Sequence, residues 1–77
     1  MKISIEYCGT CNYRPMAAAL AMAVKKATGI QAELMHSRDM GAFEVRVDGR
    51  LIFSKRQSGR FPENEEIVAA IQAPGNG

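Results

Sequence analysis

Two cysteines and one histidine are the only thiol and imidazole groups in this sequence. A structural zinc site closes with four protein donors, so Cys8, Cys11 and His36 cannot complete one from nitrogen and sulfur within a single chain. No bound metal is expected, a site shared between two chains being the one alternative. No apolar stretch approaches the ~20 residues of a membrane span. The start, Met1-Lys2-Ile3-Ser4-Ile5-Glu6, alternates polar and apolar residues and builds no signal-peptide core. A cytoplasmic protein without a membrane partner is the expectation. Net charge is only +2, too little to imply nucleic acid, although Arg46, Arg50, Lys55, Arg56 and Arg60 fall within fifteen positions. Repeats and linkers are absent, and 77 residues leave no room for a second core. Residues 1–73 therefore read as one domain, and 74–77 as a disordered tail.

The residues that are present have the composition of a soluble globular protein, 47% hydrophobic and 23% charged. Ile3, Ile5 and Tyr7 alternate with Lys2, Ser4 and Glu6, the pattern of a strand with one apolar face. Met16 to Val24 is an apolar, alanine-built run followed by Lys25, Lys26 and Gly29, which predicts a helix with cations in its last turn and a glycine stop. Pro15 is tolerated only near the helix start, which places that start between Thr10 and Asn12. Ile30 to Met35 reads as a second strand, Phe43 to Val47 as a third, and Asp48-Gly49 as a two-residue hairpin turn into Arg50 to Ser54. Pro62 and the acids after it introduce a last helix carrying Ile67, Val68 and Ile71. The order β-α-β-β-β-α predicts an α/β domain: a four-stranded mixed sheet with both helices on one face. A plain two-residue hairpin pairs Val45 with Ile52, which forces Leu51 and Phe53 onto the outer face of an edge strand and gives a motive for a weak homodimer.

The cysteines stand together as Cys8-Gly9-Thr10-Cys11, between the first strand and the first helix. Two thiols at this spacing can close a small reversible disulfide, and N–H groups at a helix start stabilise the reactive thiolate. So short a ring removes little chain entropy, so chemistry explains the pair better than stapling does. Tyr7 and Tyr13 flank the loop and are candidates for shielding the sulfurs or contacting substrate. Lys55, Arg56 and Arg60 are candidates for attracting an anionic substrate such as glutathione, although a solvated loop has the same composition. His36 reads as a solvated strand-end residue.

Glu6 to Pro15, Gly41 to Val45, Asp48 to Lys55 and Gly59 to Pro62 together resemble the selenoprotein W family, also called the Rdx or SelT/SelW/SelH group. The likeness runs from about Ile5 to Ile71 and suggests a bacterial-type member. It implies a thioredoxin-like fold and a CxxC redox centre often linked to glutathione. Selenoprotein members carry selenocysteine at the position of Cys11, and thioredoxins proper carry a cis-proline where Gly41-Ala42 stands here. The expected activity is thiol–disulfide exchange on protein or glutathione disulfides, with Cys8 and Cys11 catalytic, no resident cofactor, and glutathione or thioredoxin as co-substrate. The alternative is a redox-sensitive interaction module that does not turn over. Selenium placement favours attack by Cys11. Position just before a helix favours Cys8, and the reading leans to Cys8.

Overall fold

Ile3, Ile5 and Tyr7 are each exposed by no more than 1%, because β1 (Ile3–Cys8) is an interior strand with one face under the helices. The computed structural model describes residues 1–73, so the tail expected at 74–77 lies outside the described residues. After β1 come α1 (Arg14–Thr28), β2 (Glu33–Ser37), β3 (Phe43–Val47), β4 (Arg50–Ser54), α2 (Lys55–Ser58) and α3 (Asn64–Gln72). The sheet order is β2-β1-β3-β4, with β1 parallel to β2 and antiparallel to β3, and β3 antiparallel to β4. Ala17, Leu20, Ala21 and Val24 of α1 join Ile67 and Ile71 of α3 in one core with Ile3, Ile5, Val45 and Val47. The mixed sheet with both long helices on one face is thus as the residue pattern predicts.

The first helix starts later than expected, at Arg14, with Tyr13 as its N-cap and Pro15 inside the first turn. Asn12 has a left-handed backbone (φ 60°), which a helix cannot contain, and residues 9–12 instead form the turn that brings the two cysteines together. Cys11 therefore precedes the helix and is not on its first turn. The second strand also begins later than Ile30. The Thr28 hydroxyl donates to the Val24 carbonyl and accepts from the Ile30 N–H, which keeps Gly29 and Ile30 in the helix cap. Gly29 takes a positive φ of 77° there and its N–H bonds to the Lys25 carbonyl.

Asp48 and Gly49, with φ 52° and 83°, make the expected two-residue turn and pair Val47 with Arg50. The register then shifts. Arg46 faces Leu51, but Val45 faces Phe53, so Ile52 is an extra residue in the ladder. The expected Val45–Ile52 pairing does not form. Leu51 stays on the outer face at 38% exposure, whereas Phe53 turns towards Val45, packs against the core and lies beneath the Arg60 guanidinium at 5.2 Å. Half of the apolar motive for a homodimer is thereby absorbed into the fold.

Glu6 and Glu44 sit directly opposite each other on the outer face, a repulsive pairing that is relieved on both sides. Arg46 donates to Glu6 at 2.9 Å. Glu44 accepts from the Ser54 hydroxyl at 2.7 Å and from the Lys55 N–H at 3.0 Å. Ser54 in turn accepts from the Gln57 N–H, so the two side chains cap α2, a helical turn where a solvated loop was expected.

Candidate redox site

Cys8 ends β1 and is held by its own N–H, which donates to the Ala42 carbonyl at 2.8 Å. Cys11 lies in the following turn with its Cα 5.4 Å away, and the two are joined by a disulfide. Their surroundings differ. Cys8 is only 2% exposed, while Cys11 is half-buried at the surface. The Cys8 sulfur lies 3.5 Å from the Thr10 hydroxyl. The Cys11 sulfur accepts the backbone N–H of Gly41 at 3.4 Å.

That donor comes from the loop between β2 and β3, in a turn closed by the Ala42 N–H on the Asp39 carbonyl at 3.2 Å. Gly41 occupies it with φ 77°, a conformation that favours glycine, and a Cβ there would meet nothing within 4 Å. A proline at Gly41 would have no N–H to offer the sulfur. The signal for this turn in the sequence is the glycine itself, placed just ahead of Ala42 and β3. The helix N–H groups expected to serve the thiolate start beyond Tyr13, and the contact on sulfur comes from this loop instead.

The tyrosines and cations expected at the site separate into different roles. Tyr7 is buried in the core, with its hydroxyl accepting from Arg14 at 3.2 Å and its ring edge-on to His36 at 5.1 Å. Burial removes it from direct substrate contact. Tyr13 is half-buried and edge-on to Phe61 at 4.7 Å, and Phe61 in turn packs edge-on to Phe43. The Lys55 ammonium lies 5.6 Å from the Tyr13 ring centre and 5.1 Å from that of Phe61. Tyr13 and Lys55 are therefore together beside the cysteine turn. Arg56 is not with them: it pairs with Asp39 at 3.2 Å and ties α2 to the turn that carries Gly41.

Arg60 is likewise occupied, with two bonds to Glu66 at 2.6 and 3.0 Å. Those bonds, together with the Glu63 N–H on the same carboxylate, lower the Glu66 pKa from 4.5 to about 2, and Glu66 raises that of Arg60. His36 is exposed near the end of β2, and a Cβ on Gly9 would lie 3.4 Å from its Nδ1. Gly9, Thr10, His36, Ser37 and Arg38 line an open cleft of about 560 Å³ beside the cysteine turn. Among the described residues no three His, Cys, Asp or Glu side chains gather as metal ligands, and no helix is long and apolar enough to cross a membrane.

Residues 2–73 match the family model described as the Rdx family. The chain is 37% identical over 78 residues to migration and invasion enhancer 1 of Bos taurus, which covers 100% of this chain and 67% of that protein. It thus spans about two thirds of that relative's length. Selenoprotein W of Gallus gallus is 31% identical over 80 residues, covering 95% of this chain and 94% of that one. Among solved structures, a selenoprotein W-related protein from Vibrio cholerae matches with a TM-score of 0.78 at 29% identity, covering 87% of this chain and 86% of that one. The architecture is the thioredoxin-like α/β arrangement that the resemblance implied.

Proposed function

The chain belongs to the Rdx family, and on that premise we propose that it is a thiol–disulfide oxidoreductase in which Cys11 attacks and Cys8 resolves. The difference in burial between the two sulfurs carries this reading. An external disulfide has to approach the nucleophile in line, which the half-buried Cys11 at the surface allows and Cys8, at 2% exposure, does not. The Gly41 N–H favours charge on the same sulfur. Both arguments reverse the lean towards Cys8, which assumed a helix beginning immediately after it.

In the reduced protein the Cys11 thiolate attacks one sulfur of a substrate disulfide. A bond forms between Cys11 and that sulfur, and the other substrate sulfur leaves as a thiolate. Cys8 then loses its proton, attacks the Cys11 sulfur and expels the second substrate thiolate, closing the Cys8–Cys11 disulfide. Two electrons pass to the substrate. Two equivalents of a thiol such as glutathione, or one dithiol such as thioredoxin, return them. Protein or glutathione disulfides are the proposed substrates, and the cytoplasm, where thiols are kept reduced, is the proposed setting.

The test is capture of the intermediate. Cys8→Ser should accumulate stable mixed disulfides through Cys11 when mixed with a disulfide substrate, because the resolving thiol is gone. Cys11→Ser should capture little. The reverse pattern overturns the assignment of roles. Repeated turnover with a thiol reductant separates a catalyst from an interaction module that oxidises once and changes its affinity.

A further inference from the structure

We infer that the cleft lined by Gly9, Thr10, His36, Ser37 and Arg38 is a subsite for the carboxylate of a small thiol or disulfide whose sulfur reacts at Cys11. The inference rests on reading the cysteine pair as an exchange centre, and it adds where the substrate's charge is held. Gly9 and Thr10, which form one wall, are the two residues enclosed by the disulfide ring, so a molecule in the cleft lies beside the turn that carries the reacting sulfurs. Its volume of about 560 Å³ falls within the range of small-molecule sites.

The polar groups in the cleft suit an anion. Arg38 is exposed, and Asp39, the acid next to it in sequence, is engaged by Arg56 at 3.2 Å. The Ser37 oxygen already accepts the Asp39 N–H, which leaves its own hydroxyl hydrogen to donate. His36 offers a ring N–H, and no carboxylate lines the cleft. The three cations that the sequence offers for an anionic substrate have partners of their own: Lys55 over Tyr13 and Phe61, Arg56 on Asp39, and Arg60 on Glu66. A planar guanidinium can bind a carboxylate through two parallel hydrogen bonds.

Three small thiols of similar size and different charge test this: mercaptoacetate (anionic), 2-mercaptoethanol (neutral) and cysteamine (cationic). Each attacks the oxidised protein at Cys11, forming a mixed disulfide and releasing the Cys8 thiolate. A second molecule of the same thiol then completes the reduction. Rates are compared as variant over wild type for each thiol, which cancels intrinsic nucleophilicity. Arg38→Ala should slow mercaptoacetate by about 3- to 5-fold, the effect of an exposed ion pair, with little change for the neutral thiol. Arg38→Glu should slow mercaptoacetate further and speed cysteamine. Arg38→Lys should restore part of the preference, and ~1 M salt should suppress it in wild type. Equal slowing of all three thiols by Arg38→Ala, or none, overturns the subsite while leaving the exchange centre standing. Failure of every thiol to reduce the wild-type disulfide overturns the exchange centre and the subsite with it.

Discussion

The Gly41 N–H lies 3.4 Å from the Cys11 sulfur, across 30 positions of sequence. The contact depends on β2 and β3 flanking β1, which brings the β2–β3 loop over the end of β1. It depends also on Gly41 accepting φ 77° and on Asp39, in the same turn, being tied to Arg56 of α2. A backbone donor set this way needs no side chain at the sulfur itself, and it acts on the less buried of the two cysteines.

Gly41→Ala should therefore impair two things together. Nothing crowds the new methyl group, so the cost is backbone strain, about 1–2 kcal/mol in urea unfolding. Alanine keeps the N–H, but relief of the strain at φ 77° shifts the turn that aims it. In a Cys8→Ser background the alkylation rate of Cys11 at neutral pH should therefore fall by about 2- to 10-fold, the effect of one weakened hydrogen bond. An unchanged rate in a destabilised variant would show that the turn at Gly41 does not set the reactivity of Cys11.

Reduction should leave the fold intact. The ring closed by Cys8 and Cys11 spans a sequence separation of 3, and a loop that short accounts for about 2 kcal/mol or less of stability. Urea unfolding with and without reductant measures it. Loss of cooperative unfolding on reduction would make the disulfide a staple.

Glu66 should make stability depend on acid pH. Its pKa is lowered to about 2 in the fold from 4.5, so the unfolded chain binds more protons between those values and stability rises with pH there. The contribution is fully present above about pH 4.5 and is lost as pH falls through about 2. Glu66→Gln keeps an acceptor for the Glu63 N–H and removes the charge. Wild type should lose more of its urea midpoint than this variant between pH 5 and 2, and parallel curves would refute the coupling to Arg60.

The hairpin predicts opposite behaviour at neighbouring positions. Phe53→Ser should destabilise the monomer by about 2 kcal/mol or more, because the ring is packed on the core. Leu51→Ser should change stability by less than about 1 kcal/mol. Burying Leu51 alone contributes roughly 1.5–3 kcal/mol, less than the ~4 kcal/mol or more that association costs. Sedimentation should find a monomer, and a dimer abolished by Leu51→Ser would show that the outer face is an interface after all.

Local features of this chain act within a few residues of themselves, and those were legible. Alternation at Ile3, Ile5 and Tyr7 and from Phe43 to Val47 set which side of each strand faces the core. Asp48-Gly49 closed its own hairpin, Gly29 stopped its own helix, and Cys8 and Cys11 are near enough in sequence to bridge through one turn. The short α2 is also locally encoded, by Ser54 as N-cap and Gly59 as stop, a signal that the charge of Lys55 and Arg56 masks. What the tertiary structure alone decided lies between distant segments. The extra residue at Ile52 sends Phe53 inward because β4 must pair with β3 while its side chains meet α3 and the core. Arg56 is paired with an aspartate 17 positions earlier. Cys8 is made inaccessible by ending an interior strand, and Cys11 receives its donor from a loop 30 positions away. The CxxC spacing determined that two sulfurs would meet. Which of them faces solvent followed from strand order, because burial belongs to neighbours in space, and a linear pattern does not contain them.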